Sequence, residues 1–88
     1  MGRSVRPRPK RLGEKLKAIR LKLDYSQTEM LLALGYKNNQ KNLRSIISAY
    51  ERGKREPNLI DLLNYARIAK VNVEEIIDDN LNLSFTES

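Results

Sequence analysis

Neither cysteine nor histidine occurs among the 88 residues, and tryptophan is missing as well. Without cysteine there is no disulfide framework and no thiolate metal site. Without histidine the commonest general base and metal ligand is gone. Together these absences remove most routes to an enzyme, and neither metal nor cofactor is expected. Serines such as Ser26 and Ser48 have no histidine to activate them as nucleophiles. Strand signals are thin too, with no alternating Val/Ile/Thr run and no Asn-Gly hairpin turn. No apolar run approaches the length of a membrane span, and the first residues lack the apolar centre of a signal peptide. The expectation is a cytoplasmic, all-helical protein without membrane contact, with room for one domain and a modest core.

What is abundant is positive charge. The net charge is +6, but it is unevenly spread. Residues 1–56 hold 15 Lys+Arg against 5 Asp+Glu, or +10, and residues 57–88 hold 2 against 6, or −4. A basic front and an acidic back suggest a polyanion binder with one binding side. The plainer reading is a soluble surface whose charge is merely uneven.

Residues 26–53 read as two helices with a glycine between them. Ser26-Gln27-Thr28-Glu29 has the form of a capping box. Met30, Leu31 and Leu34 follow, then Gly35, the residue expected where a helix ends in a left-handed turn. Leu43, Ile46, Ile47 and Tyr50 recur at i, i+3, i+4, i+7, one apolar stripe of a second helix that Gly53 closes. The other face carries Lys41, Arg44, Ser45, Ser48 and Arg52, polar or basic and free of carboxylates. A major groove requires a face of that kind. Between the two helices, Asn39 or Asn42 caps the second, and the polar amides of this stretch read equally as DNA contacts or as loop chemistry.

Residues 1–10 carry Arg3, Arg6, Arg8 and Lys10, while Pro7 and Pro9 block a regular helix. They read as a mobile basic arm able to enter a minor groove, or simply as a solvated terminus. From 11 to 23 a first helix buries Leu12, Leu16, Ile19 and Leu23 and turns Glu14, Lys15, Lys17 and Lys22 to water. Asn58 caps a fourth helix, with Asp61 in its first turn complementing the dipole and Leu59, Leu62, Leu63, Ala66 and Ala69 inward. Asn72 repeats the cap before a short fifth helix at Ile76-Ile77. Residues 79–88 form an acidic tail. Its alternating Leu81, Leu83 and Phe85 read either as a frayed end or as a dimer-forming extension.

The spacing Leu12-Gly13, Leu16, Ile19-Arg20, Tyr25-Ser26-Gln27, Glu29-Met30, Gly35, Ile47-Ser48, Glu51, Gly53, Pro57, Leu62, Ala66 resembles the phage Cro and repressor (XRE-like) helix-turn-helix family, over residues 11–78. The resemblance implies a compact all-α bundle of five helices, like the lambda-repressor DNA-binding domain, whose third helix enters the major groove of double-stranded DNA. It also implies a homodimer on an inverted repeat. By the same resemblance Gln27 would contact a phosphate or an outer base. Arg44, Ser45, Ser48 and Ala49 would face base edges, and Arg52 and Lys54 would touch the backbone. Arg20 and Glu51 would form a structural ion pair between the first and third helices. Two departures stand out. Leu31 occupies a position that is usually small, which should push the two helices apart or change their angle. The turn is also longer than the family's, so residues 37–42 read as an insertion.

The expected function is therefore sequence-specific DNA binding by a transcriptional regulator, a repressor as the resemblance implies. A second expectation, from another class, is an antitoxin or adaptor whose acidic tail engages a basic protein partner such as a toxin.

Overall fold

Five helices, and no strand, occur among the residues that the computed structural model describes, which are 9–37 and 44–85, Arg44 through its backbone alone. They are α1 (Leu12–Lys22), α2 (Gln27–Ala33), α3 (Arg44–Glu51), α4 (Leu59–Ala69) and α5 (Val73–Ile77). The all-α bundle expected from the apolar periodicity is what forms. The question of whether Asn39 or Asn42 caps α3 lies outside the described residues.

Local chemistry sets most of the boundaries. The Ser26 hydroxyl accepts from the Glu29 N–H at 3.0 Å, and the Glu29 carboxylate accepts from the Ser26 N–H at 2.7 Å, so the capping box is complete. Gly35 ends α2 at φ +101° and Gly53 follows α3 at φ +74°, both in the left-handed region where a side chain is strained. Asn58 caps α4 by accepting from the Asp61 N–H at 2.8 Å. Asn72 precedes α5 without a side-chain cap. Its amide donates instead to the Glu75 carboxylate at 3.3 Å.

One core joins all five helices. Leu16, Ile19, Met30, Leu31, Ile47, Tyr65 and Ile76 are all but sealed from solvent. α1 runs through the middle, packed against α3, α4 and α5, while α2 packs on α3. Leu31, large for its place, lies wholly within this core alongside Ile47. The inner face of α4 differs from expectation. Leu59 is 78% exposed, whereas Asp61 and Tyr65 are buried beside Leu62, Ala66 and Ala69. The face is rotated because the Asp61 carboxylate has partners inside: it accepts from the Tyr50 hydroxyl at 2.7 Å and from the Tyr36 hydroxyl at 2.9 Å.

Lys15, expected in water, is 2% exposed. Its ammonium donates to the carbonyls of Glu75 at 2.6 Å, Asp78 at 2.7 Å and Leu81 at 2.7 Å. All three protons are used. The charge sits at the C-terminal end of α5, where helix carbonyls lack internal partners and a cation is favoured. Burial, and then the nearby Arg11 charge, pull the Lys15 pKa below the ordinary lysine value.

The C-terminal residues do not fray over the described part. Residues 78–85 lie as a strap along α1. At its start Asp79 accepts from the backbone N–H groups of Lys10 at 2.8 Å and Arg11 at 2.9 Å. α1 has no cap of its own at Arg11, and Asp79 supplies one from 68 residues away. At the far end the Lys22 ammonium stands 5.6 Å from the centre of the Phe85 ring. Between them Glu75 accepts from the Ser84 N–H at 2.7 Å and its hydroxyl at 3.1 Å, and Leu83 and Phe85 rest partly buried on the core. The packed body therefore extends past residue 78 to residue 85.

Candidate nucleic-acid interface

The geometry of α3 follows from what its inner side must bury. Ile47 and Tyr50 are fully or nearly fully excluded from solvent, and Ile46 packs partly against the core. That orientation leaves Ser45, Ser48, Ala49 and Arg52 in one outward row at i, i+3, i+4, i+7. Ser45 and Arg52 are exposed, and Ser48 and Ala49 are half-buried between them. The Arg52 Nε donates weakly to the Ser48 carbonyl at 3.4 Å, which lays its stem along the helix end. Arg44 opens the helix.

Glu51, the one carboxylate of α3, is turned inward. Its side chain is 4% exposed and forms a bidentate pair with Arg20, Nε to Oε2 at 2.6 Å and Nη2 to Oε1 at 3.1 Å. The same guanidinium donates to the Tyr25 carbonyl at 3.0 Å. The hydrogen bond to Glu51 raises the Arg20 pKa above its already high ordinary value. The Arg20–Glu51 pair expected between α1 and α3 is present. Close approach makes it possible: a Cβ placed on Gly13 would stand 2.6 Å from the Glu51 carbonyl oxygen, so α1 can meet the end of α3 only where a side chain is missing.

Gln27 completes this cluster. It is half-buried and its amide donates to Glu51 Oε1 at 3.3 Å, so the start of α2 is tied to the end of α3. After the Gly53 turn the backbone N–H groups of Lys54 and Arg55 both converge on the Ala49 carbonyl, at 2.9 and 3.3 Å. This places two exposed basic residues directly beyond Arg52.

The structure thus brings Ser45, Ser48, Ala49 and Arg52 into one outward row, with Lys54 exposed past the Gly53 turn and Gln27 tied to Glu51. Lys10 is exposed but stands at the start of α1, its backbone held by Asp79. Lys41 and the arm residues Arg3, Arg6 and Arg8 lie outside the described residues. Two features escaped the sequence reading. Arg55 adds an exposed cation after the Gly53 turn and was legible as the neighbour of Lys54. The Tyr36–Asp61–Tyr50 triad, which ties α3 to α4, had no local signal because its members lie 11 and 25 residues from Asp61.

The chain matches no family model, and neither curated proteins nor solved structures give a significant match.

Proposed function

We propose that the chain is a sequence-specific, double-stranded DNA-binding regulator of the helix-turn-helix type, acting without catalysis in the cytoplasm. The observation that carries this reading is the outward row Ser45, Ser48, Ala49, Arg52, from which the helix's only carboxylate has been withdrawn into an ion pair, with the exposed Lys54 and Arg55 following in the chain. A protruding helix face with basic residues at one end and small polar groups along it suits entry into a major groove. The cations neutralise phosphates and release condensed counterions, giving affinity that falls with salt. Arg44 is the best candidate to read guanine bidentately, and Ser45, Ser48 and Ala49 add weak discrimination.

So thin a reading surface calls for two copies on a two-fold site. The antitoxin or adaptor reading needs an acidic tail available to a partner. The tail's Asp79 carboxylate is instead engaged within the chain, which favours the DNA reading.

Selection from a random duplex pool, followed by salt titration of binding to the winner, tests the proposal. The expected outcome is a dyad-symmetric site and a negative slope of log affinity against log salt. Arg44→Ala should relax base preference at one position per half-site, a loss of about 1–3 kcal/mol there. Lys54→Ala should weaken all sequences alike. Equal, sequence-blind losses from both variants would defeat the assignment, and indifference to duplex DNA at low salt would defeat the function.

A further inference from the structure

Residues 34–43 separate α2 from α3. A tight turn of about three or four residues holds two helices at a set angle, whereas a connection of this length dictates none. The core does not close that freedom alone, because apolar contacts such as those of Met30, Leu31 and Ile47 are non-directional. Hydrogen bonds are directional, and two buried carboxylates accept them at either end of α2. At its first residue the Gln27 amide donates to Glu51 Oε1 at 3.3 Å. Past its last residue the Tyr36 hydroxyl donates to Asp61 Oδ2 at 2.9 Å, and the Tyr50 hydroxyl of α3 donates to that same oxygen at 2.7 Å. Asp61 is itself 3% exposed and fixed in the first turn of α4, where its N–H donates to the Asn58 cap.

From these contacts we infer that Asp61 is a positioning residue for the outward row of α3: the oxygen that Tyr36 and Tyr50 share sets the roll of α3 against α2. Tyr50 and Glu51 are adjacent, so their side chains leave α3 about 100° apart. Ties in two such directions, one to each end of α2, leave α3 no axis about which to turn. Either tie alone would act as a pivot. The roll decides what Ser45, Ser48, Ala49 and Arg52 face, and groups that recognise a ligand must be held within about 10–20° of the productive geometry. Asp61 thus acts through Tyr50, from a helix that carries none of the reading residues. The consequence for base reading rests on the DNA function proposed above, whereas the roll itself does not.

Residual dipolar couplings of the α2 and α3 amides, measured on the full chain without DNA, test the inference. Tyr36→Phe keeps the ring and removes the α2 end of the tie, and Tyr50→Phe removes the α3 end. Each should turn α3 against α2 by roughly 10° or more. Tyr65→Phe is the control, since it deletes a buried hydroxyl that has no partner among the described residues, and it should leave the orientation unchanged. On duplexes, the affinity ratio between the selected site and a single-base variant of it should narrow roughly threefold or more in both tie variants, part of what a bidentate base contact supplies. The slope of log affinity against log salt should keep its wild-type value, because the phosphate contacts are not touched. A merely structural triad would lower the melting temperature and leave the orientation and the ratio as they are, which overturns the inference. An α3 that turns yet reads bases with undiminished preference overturns it too. If the wild type ignores duplex DNA, the proposed function falls, and the couplings alone then decide whether Asp61 sets the roll.

Discussion

At the scale of single residues, the decisive feature is where each polar group finds its partner. Glu51 is nearly sealed in, and its charge is tolerated only because Arg20 and Gln27 meet it. Arg20→Ala should therefore destabilise the fold by about 3–5 kcal/mol, because a buried carboxylate is left unpaired. Denaturant unfolding measures it, and a loss below about 1 kcal/mol, the range of surface pairs, would show the pair to be superficial. Tyr65 is the opposite case. Its hydroxyl is buried and has no hydrogen-bond partner among the described residues. An unsatisfied buried hydroxyl costs on the order of 1–3 kcal/mol. Tyr65→Phe should accordingly be neutral or stabilising by about 1 kcal/mol, and a clear drop in melting temperature would reveal a partner for that oxygen.

At the scale of elements, α1 and α5 cap each other's open ends. Lys15 of α1 closes the carbonyl end of α5, and Asp79, just past α5, closes the amide end of α1. The hydrogen bonds from Arg11 and Lys10 hold the Asp79 carboxyl below its ordinary value of 3.8, and those from Ser84 do the same for Glu75 against 4.5. Both groups stabilise the docked strap above the ordinary carboxylate range, and that contribution is lost as pH falls through their lowered values. Amide hydrogen exchange should show residues 79–85 opening below about pH 4 while the amides of α1 and α4 stay protected. Simultaneous loss of both would mean that the strap has no separate stability.

Lys15 also shows how far sequence reading reached at this scale. With Leu12, Leu16 and Ile19 it completes an i, i+3, i+4, i+7 set, so periodicity alone placed it inward. Residue type argued for water, and the type rule lost because the carbonyls of Glu75, Asp78 and Leu81 converge on the ammonium. Leu59 lost in the other direction. It fits the apolar spacing of α4, yet Asp61 and Tyr65 take the inner face because Tyr50 and Tyr36 supply donors there.

At the scale of the whole molecule, alkaline pH should expose the tyrosine cluster. Burial raises the pKa of Tyr36, Tyr50 and Tyr65 above the ordinary 10.0, and Asp61 adds to the effect at the first two by hydrogen bonding. The unfolded chain gives up phenolic protons near pH 10 while the folded chain keeps them. The stabilisation is therefore complete below that pH and lost progressively as pH rises from there toward the raised values of the folded chain. Lys15 opposes this, since its lowered pKa makes stability rise with pH just below the ordinary lysine value. Three phenols outweigh one amine, so melting temperature should fall above about pH 10. Tyr50→Phe should flatten that fall, and a slope unchanged by it would place the titration elsewhere.

The sequence by itself determined the helices, the caps at Ser26 and Asn58, the glycine stops and the outward row of α3. Each depends on neighbours within a turn or two, where spacing and residue type act directly. Only the tertiary structure decided that Lys15 and Asp61 are buried, that residues 79–85 return along α1, and that Leu59 and Ile60 stay in water. Those outcomes turn on hydrogen-bond partners as many as 69 residues away, and such a partner exists only once the chain has closed on itself.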